Sequence, residues 1–363
     1  MKSQLSILDP ATVSPTPVSP TLTSSTPATI TLKPAAVQRE VQNLLNSGAL
    51  RDFNWPADQI RKNALDLWES WKIAQAGMQR TISPITYVQL KDEKRKHYKS
   101  VLENATATNL DAFTLITSAA EHHSIIDDRG VILGYRCRIP QTLLATLSAS
   151  SSQLPCTRVD AGIHGQYPTR HYAVWKEYAS KPHLSSEYKK DLPASANWCE
   201  LNRALFTYLS NTLQCISPQT YARYSHARQY LKKKHKPLCG VWYGVAINQD
   251  VTGDTKTHQD WGDHGYNCVV PWGEYEKSSL VLWQLKMVVE LQLGDAFFFM
   301  GSLIAHNVQD VKGVRNSIDL FCHHTVLSWK EKCKEKRRNM KSRLRRGKKL
   351  SLRQARKLKS VII

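Results

Sequence analysis

Apolar and polar positions alternate with two different periods along this chain, and the change of period divides it. Over 36–76, Val37, Val41, Leu44 and Leu45 share one face at helical spacing, followed by Leu65, Leu67, Trp68 and Trp71. This spacing predicts two short amphipathic helices. Ser-Ile-Ile and Val-Ile-Leu-Gly-Tyr flank the turn Asp127-Asp128-Arg129-Gly130, which predicts a hairpin over 125–140. The Ser-rich stretch 145–153 reads as a loop, and 164–185 is rich in aromatics without a clear period. Residues 197–214 predict one helix, with Trp198, Leu201, Leu205, Tyr208 and Leu209 on one side. After Pro218 the pattern becomes short apolar runs separated by turns, at 241–247, 266–270, 280–283, 287–291, 296–300 and 317–321. Strands at this spacing, with a tight turn at Gly294-Asp295, predict a β-sandwich or barrel.

Composition adds the two ends. Residues 1–35 are Ser, Thr, Pro and Ala with six prolines and little charge, so a disordered leader is expected. The formal charge is +20, and it is unevenly placed. Residues 330–359 hold sixteen Lys or Arg against two acids, Glu331 and Glu335, which is +14 of the total. The expected organisation is therefore a leader over 1–35, a helical and mixed supporting region over 36–215, a β-rich core over 216–329 and a basic tail over 330–363. Eight cysteines without a CxxC pair argue against a zinc finger and for reduced thiols in a nuclear or cytoplasmic setting. Neither a signal peptide nor a membrane span is expected: no basic start leads into an apolar run, and no stretch of about 18 apolar residues occurs.

Candidate chemistry sits among the strands. In Thr257-His258-Gln259-Asp260, residues two apart on an extended chain point the same way, so His258 and Asp260 can share one ligand. His306, 46 residues after Asp260, is the candidate third donor. Two His and one carboxylate form the facial triad of non-haem iron(II) oxygenases, which leaves coordination sites open for a 2-oxo acid and molecular oxygen. Nine residues on, Arg315-Asn316-Ser317 places a guanidinium and a hydroxyl on one face. Arg315, with Ser317 assisting, suits the far carboxylate of 2-oxoglutarate because its planar fork pairs with both oxygens. Asp263 and His264 follow the triad pair closely and read as a solvated loop at the pocket mouth, with metal binding as the alternative. His323 and His324 read as packing or surface residues, and Tyr221, Arg223 and Tyr224 as structural, with a pocket wall as the alternative. Asn248 stands just before the triad loop, where it would touch co-substrate or order that loop.

Taken together, Gly244-Val-Ala-Ile-Asn-Gln through His258-Gln-Asp260, Tyr266-Asn-Cys-Val-Val-Pro, Leu280-Val-Leu, Leu293-Gly-Asp-Ala-Phe-Phe-Phe, His306 and Arg315-Asn-Ser-Ile resemble the 2-oxoglutarate oxygenases of the TET and J-binding-protein type, in the form expanded in fungal genomes. The resemblance covers about 220–329. It implies an α+β fold: a double-stranded β-helix (jelly-roll) oxygenase core with supporting N-terminal helices and disordered termini. It also implies iron(II) on His258, Asp260 and His306, 2-oxoglutarate on Arg315 and Ser317, and hydroxylation of a C–H bond. Family members often carry Gly-Gly before the Leu-Val-Leu strand, where this chain has Ser278-Ser279, and that departure bears on the pairing of the strand.

The resemblance leaves the substrate open between a methylated nucleic-acid base of the 5-methylcytosine kind and a protein side chain, as in a hydroxylase or demethylase. A DNA-associated protein with an inactive core is a third reading, opposed by the intact triad and Arg315. The tail favours nucleic acid, through Lys336-Arg337-Arg338 and the basic run 343–349, which also fit nuclear import. The alternative for such a run is a solvated helical face. Trp261, Tyr266, Trp272 and Tyr275 are expected either to wall a slot for a flipped base or to pack within the barrel.

Overall fold

The computed structural model describes residues 79–96, 109–154, 159–160, 167–176, 179–231, 238–329, 338–339 and 342. The leader, the helices expected over 36–76 and nearly all of the basic tail lie outside the described residues. The first elements are β1 (Gln79–Ile82), α1 (Tyr87–Lys96), β2 (Thr114–Ile116), β3 (His122–Ile126), β4 (Ile132–Arg138) and α2 (Gln141–Ser151). Next come β5 (Val159–Asp160), β6 (Tyr167–Trp175), β7 (His183–Leu184), α3 (Ser186–Lys190), α4 (Ala194–Leu201), α5 (Arg203–Ile216) and α6 (Pro218–Ala227). The chain then runs through β8 (Gly244–Val251), β9 (Asn267–Leu282), β10 (Met287–Glu290), β11 (Asp295–Phe299), β12 (His306–Phe321) and α7 (His324–Leu327).

Two long strands organise the sheet. β9 and β12 have 16 residues each and pair antiparallel along most of their length. Near its start β9 also pairs with β11, which continues to β4 and β3, while the end of β12 pairs with β8 and through it β6. The far end of β9 pairs with β10, and the start of β12 bridges to His258. Each long strand thus pairs with different neighbours at its two ends, and the fold is α+β with a double-stranded β-helix at its centre. The bend between those ends needs close backbone approach. Gly273 (φ +125°) and Gly313 (φ +107°) lie on β9 and β12 at this corner, and a Cβ on either would collide with a carbonyl oxygen of the other strand.

Parity matters at the same corner. The β12 register shifts between Gln309 and Lys312 and again between Lys312 and Gly313. Beyond these irregularities Arg315, Ser317, Asp319 and Phe321 all face the interior cavity, as His306 does before them.

One hydrophobic cluster runs through the whole assembly, joining Trp198, Leu205, Leu209 and Leu213 of the helices to Tyr172, Val245, Ile247 and Phe298 of the sheet. β3, β4 and β6 belong to the same sheet as β8 to β12, so residues before 216 supply strands as well as supporting helices. Among the described residues six cysteines are free and no helix is long and apolar enough to cross a membrane.

The hairpin over 125–140 forms as β3 and β4. Three other expectations need correction. The Ser-rich stretch 145–153 lies largely within α2, because Ser150 and Ser151 are buried and accept hydrogen bonds from Asn202 Nδ2 (2.8 Å) and Trp198 Nε1 (3.0 Å). The helix expected over 197–214 is two, α4 and α5. They break at Asn202, whose amide also donates to the Trp198 carbonyl (2.9 Å). The runs 266–270 and 280–283 are the two ends of the single strand β9. Ser278 and Ser279 lie buried within it, Ser279 opposite both Glu290 and Gln309, so the departure from Gly-Gly leaves the pairing intact.

Candidate metal centre

The loop after β8 returns alongside the start of β12. His258 N–H donates to the His306 carbonyl (3.0 Å) and His306 N–H to the His258 carbonyl (2.9 Å). This reciprocal bridge sets the two imidazoles side by side, with ring centroids 4.4 Å apart. Asp260 follows on the same side, its own N–H held by the Gly301 carbonyl (3.0 Å). Its carboxylate lies between the rings, Oδ1 3.9 Å from His258 Nε2 and Oδ2 3.7 Å from His306 Nε2. One ligand atom from each of the three residues lies within 4.8 Å of the others.

The hydrogen bonds decide which nitrogens face the centre. His258 Nδ1 contacts the Lys256 carbonyl (2.8 Å) and His306 Nδ1 the Ile304 carbonyl (2.9 Å). A carbonyl can only accept, so each Nδ1 carries the hydrogen and each Nε2 presents its lone pair inward. Two imidazoles with Nε2 turned inward and a carboxylate converging in this way are the donor set of a divalent transition metal.

Asn267, on β9, supports the carboxylate. Its Nδ2 donates to Asp260 Oδ2 (3.0 Å) and to Asp263 Oδ2 (2.7 Å). Gly301 stands against the same oxygen, where a Cβ would come within 2.5 Å. Asn267→Ala is therefore expected to loosen Asp260 and to weaken divalent-metal affinity by about 10–100-fold, as loss of an outer-shell partner does. Titration of the protein with manganese(II) measures this, and an unchanged dissociation constant would remove Asn267 from the site.

Arg315 and Ser317 reach the same cavity, which has a volume of about 260 Å³. Arg315 is 2 % exposed, and its Nε and Nη2 have no hydrogen-bond partner among the described residues. Burial opposes its charge and Asp319, further along β12, favours it. A buried guanidinium with unused donors is costly unless an anion completes it, so the cavity fits a carboxylate-bearing ligand. Ser317 accepts from Asn248 Nδ2 (3.3 Å), and Asn248 itself lines the cavity.

Several neighbours differ from expectation. Asp263 is buried rather than solvated. Burial pushes its carboxyl well above the usual range, the Asp260 charge adds to this, and the Asn267 amide opposes it. His323 packs, as one of its two expected roles had it, and in addition lines the cavity. Burial lowers its imidazole to about 4, so it is neutral at neutral pH. It approaches Asp263 Oδ1 at 3.9 Å and packs on Trp175 (centroids 4.7 Å) and edge-on to Phe321 (5.3 Å). His264 and His324 are exposed. Of the four aromatics offered as walls only Trp261 lines the cavity. Tyr266 and Trp272 are buried in the core, and Tyr275 donates to the Leu291 carbonyl (3.3 Å). Tyr224, of α6, is also core. Asp263 was legible only as a neighbour of the triad pair and His323 only as a strand-end residue, Asp319 shares strand parity with Arg315 and Ser317, and Trp175 carried no signal of its own in sequence.

No protein-family model matches the chain, and no curated protein matches it. Solved structures do. NgTET1 in complex with 5mC DNA aligns with 67 % of this chain and 93 % of its own at 14 % identity, with a TM-score of 0.47. An oxidoreductase of the 2OG-Fe(II) oxygenase family from Burkholderia pseudomallei aligns over 51 % and 82 % at 16 % identity, TM-score 0.32. The viral collagen prolyl hydroxylase of Paramecium Bursaria Chlorella virus-1 aligns over 51 % and 94 % at 10 % identity, TM-score 0.31.

Proposed function

We propose that the chain is an iron(II)- and 2-oxoglutarate-dependent dioxygenase. One observation carries this reading: three converging metal donors and a buried guanidinium with unused donors share a single cavity. His258, Asp260 and His306 would hold the metal. Arg315, with the Ser317 hydroxyl, would receive the far carboxylate of 2-oxoglutarate and so orient the 2-oxo acid end towards the triad. Iron(II) bound there supplies the coupling of oxidative decarboxylation to hydroxylation of a C–H bond. The protein's part is to keep Nε2 lone pairs inward, to exclude water and to place the target.

The target we favour is a methylated base within nucleic acid. The Trp175, Phe321 and His323 rings form an aromatic wall, and the Asp263 carboxyl beside it supplies a polar edge. A planar heterocycle needs both, one for stacking and one for hydrogen bonds to its edge. A base in a duplex must be flipped out to reach this depth, and the basic tail would hold the backbone meanwhile. The same basic runs fit a nuclear location. Succinate release from iron(II)-loaded protein, offered methylated DNA, unmethylated DNA and histone peptides in parallel, tests the reading, with mass spectrometry of the DNA for oxidised methylcytosine. Turnover on peptide alone would replace it with protein hydroxylation.

Removal of 330–363 is expected to weaken DNA binding and flatten its salt dependence while the core stays folded. That segment holds at least +14 of the charge, and each phosphate contact releases counterions. Binding isotherms at several salt concentrations measure the slope, and an identical slope in the shortened protein would place the DNA contact elsewhere.

A further inference from the structure

Asp319 is a second carboxyl in this cavity with no place in the metal triad. It lies four residues beyond Arg315 on the same face of β12 and lines the cavity with it. A polar ladder across three strands holds it. Thr169 Oγ1 of β6 donates to Asn248 Oδ1 of β8 (2.9 Å), and Asn248 Nδ2 donates to Asp319 Oδ2 (2.6 Å). The neighbours it meets across the sheet are Ala246 on β8 and Val269 on β9, neither of which carries charge. The charged and titratable groups that share the cavity are Arg315, Tyr167 and His171 of β6, Asp260, Asp263, His258, His306 and His323. Among the described residues Arg315 is the one guanidinium lining it, together with the acids Asp260, Asp263 and Asp319.

Resting on the reading that Arg315 receives 2-oxoglutarate, we propose that Asp319 is a positioning residue of the co-substrate pocket that takes up a proton when a dicarboxylate binds. The reason is competition. Before binding, Asp319 is the acid that favours the Arg315 charge most. A ligand carboxylate that pairs with the guanidinium sets two anions against one cation in a dry cavity. Asp319 then becomes a neutral acid: a proton passes from solvent to its carboxylate, and Asn248 keeps the side chain in place. Burial already raises Asp319 to about 7, with Arg315 lowering it and Asp260 raising it, so little further change is needed near neutral pH. The sign follows. A group that binds a proton with the ligand makes binding weaken as pH rises above its ligand-free value, by up to about tenfold per pH unit.

The test is calorimetric titration of the full-length, manganese(II)-loaded protein with 2-oxoglutarate between pH 7 and 8.5, in buffers of different ionisation enthalpy. Uptake approaching one proton per 2-oxoglutarate, abolished in Asp319→Asn while binding persists with a flat pH profile, is the expected result. Asn keeps the shape and the contact site for Asn248, and the wild-type uptake is decisive even if that variant does not fold. Binding without proton uptake would overturn this inference and leave the co-substrate assignment standing. No binding of 2-oxoglutarate at all would overturn both.

Discussion

Asp260→Ala is expected to abolish turnover and to release the metal. Asp260 is the anionic donor of the three, and it bridges the two imidazoles, with one oxygen towards each Nε2. Without it a divalent ion keeps two neutral nitrogens, which neither balance its charge nor complete a face of its coordination shell. The loss should exceed the 10–100-fold expected when only the supporting Asn267 contact is removed. His258 and His306 should hold their positions, because reciprocal backbone bonds and carbonyl contacts set them independently of the carboxylate. Manganese(II) titration and succinate release measured on one preparation make the comparison. Retained activity would show that the carboxylate has another task.

Arg315→Ala should act on the other ligand alone. Its side chain is buried with free donors, and a carboxylate that loses such a partner forfeits about 2–5 kcal/mol. This is a rise of roughly 30-fold to a few thousandfold in the 2-oxoglutarate concentration required. Metal affinity should stay, since no hydrogen bond or ion pair is seen between Arg315 and the triad among the described residues. Paired measurements of the 2-oxoglutarate Michaelis constant and of manganese(II) affinity separate the two effects. An unchanged Michaelis constant would remove Arg315 from co-substrate binding.

The residues that converge most tightly were the most legible in sequence. His258 and Asp260 follow the two-residue rule of an extended chain, and Arg315 with Ser317 repeats it on an apolar strand. The hairpin and the strand character of the C-terminal half, though not the length of its two longest strands, were legible for the same reason, since alternation is local. What escaped depends on partners distant in sequence. Ser150 and Ser151 look like loop residues until Trp198 and Asn202, about fifty positions away, donate to their hydroxyls. β9 looks like two strands because Pro271 and the polar run 274–279 interrupt its apolar ends, and only pairing with β12 carries it through. Asp263 reads as a loop acid until Asn267 and the end of β12 cover it. His323 reads as either a packing or a surface residue until Trp175, about 150 positions earlier, packs on its ring.

The irregular stretch of β12 between Gln309 and Gly313 limits how this chain can change in length. Side chains of a strand change sides with every residue, so the count of residues between His306 and Arg315 decides whether both look inward. Deleting one residue from that stretch would leave the triad untouched and turn Arg315, Ser317, Asp319 and Phe321 outward together. The lesion would leave the three metal-donor residues in place and remove the other wall of the cavity in one step. Length changes there should therefore come in pairs, whereas exposed Lys312 tolerates other residues and Gly313 does not.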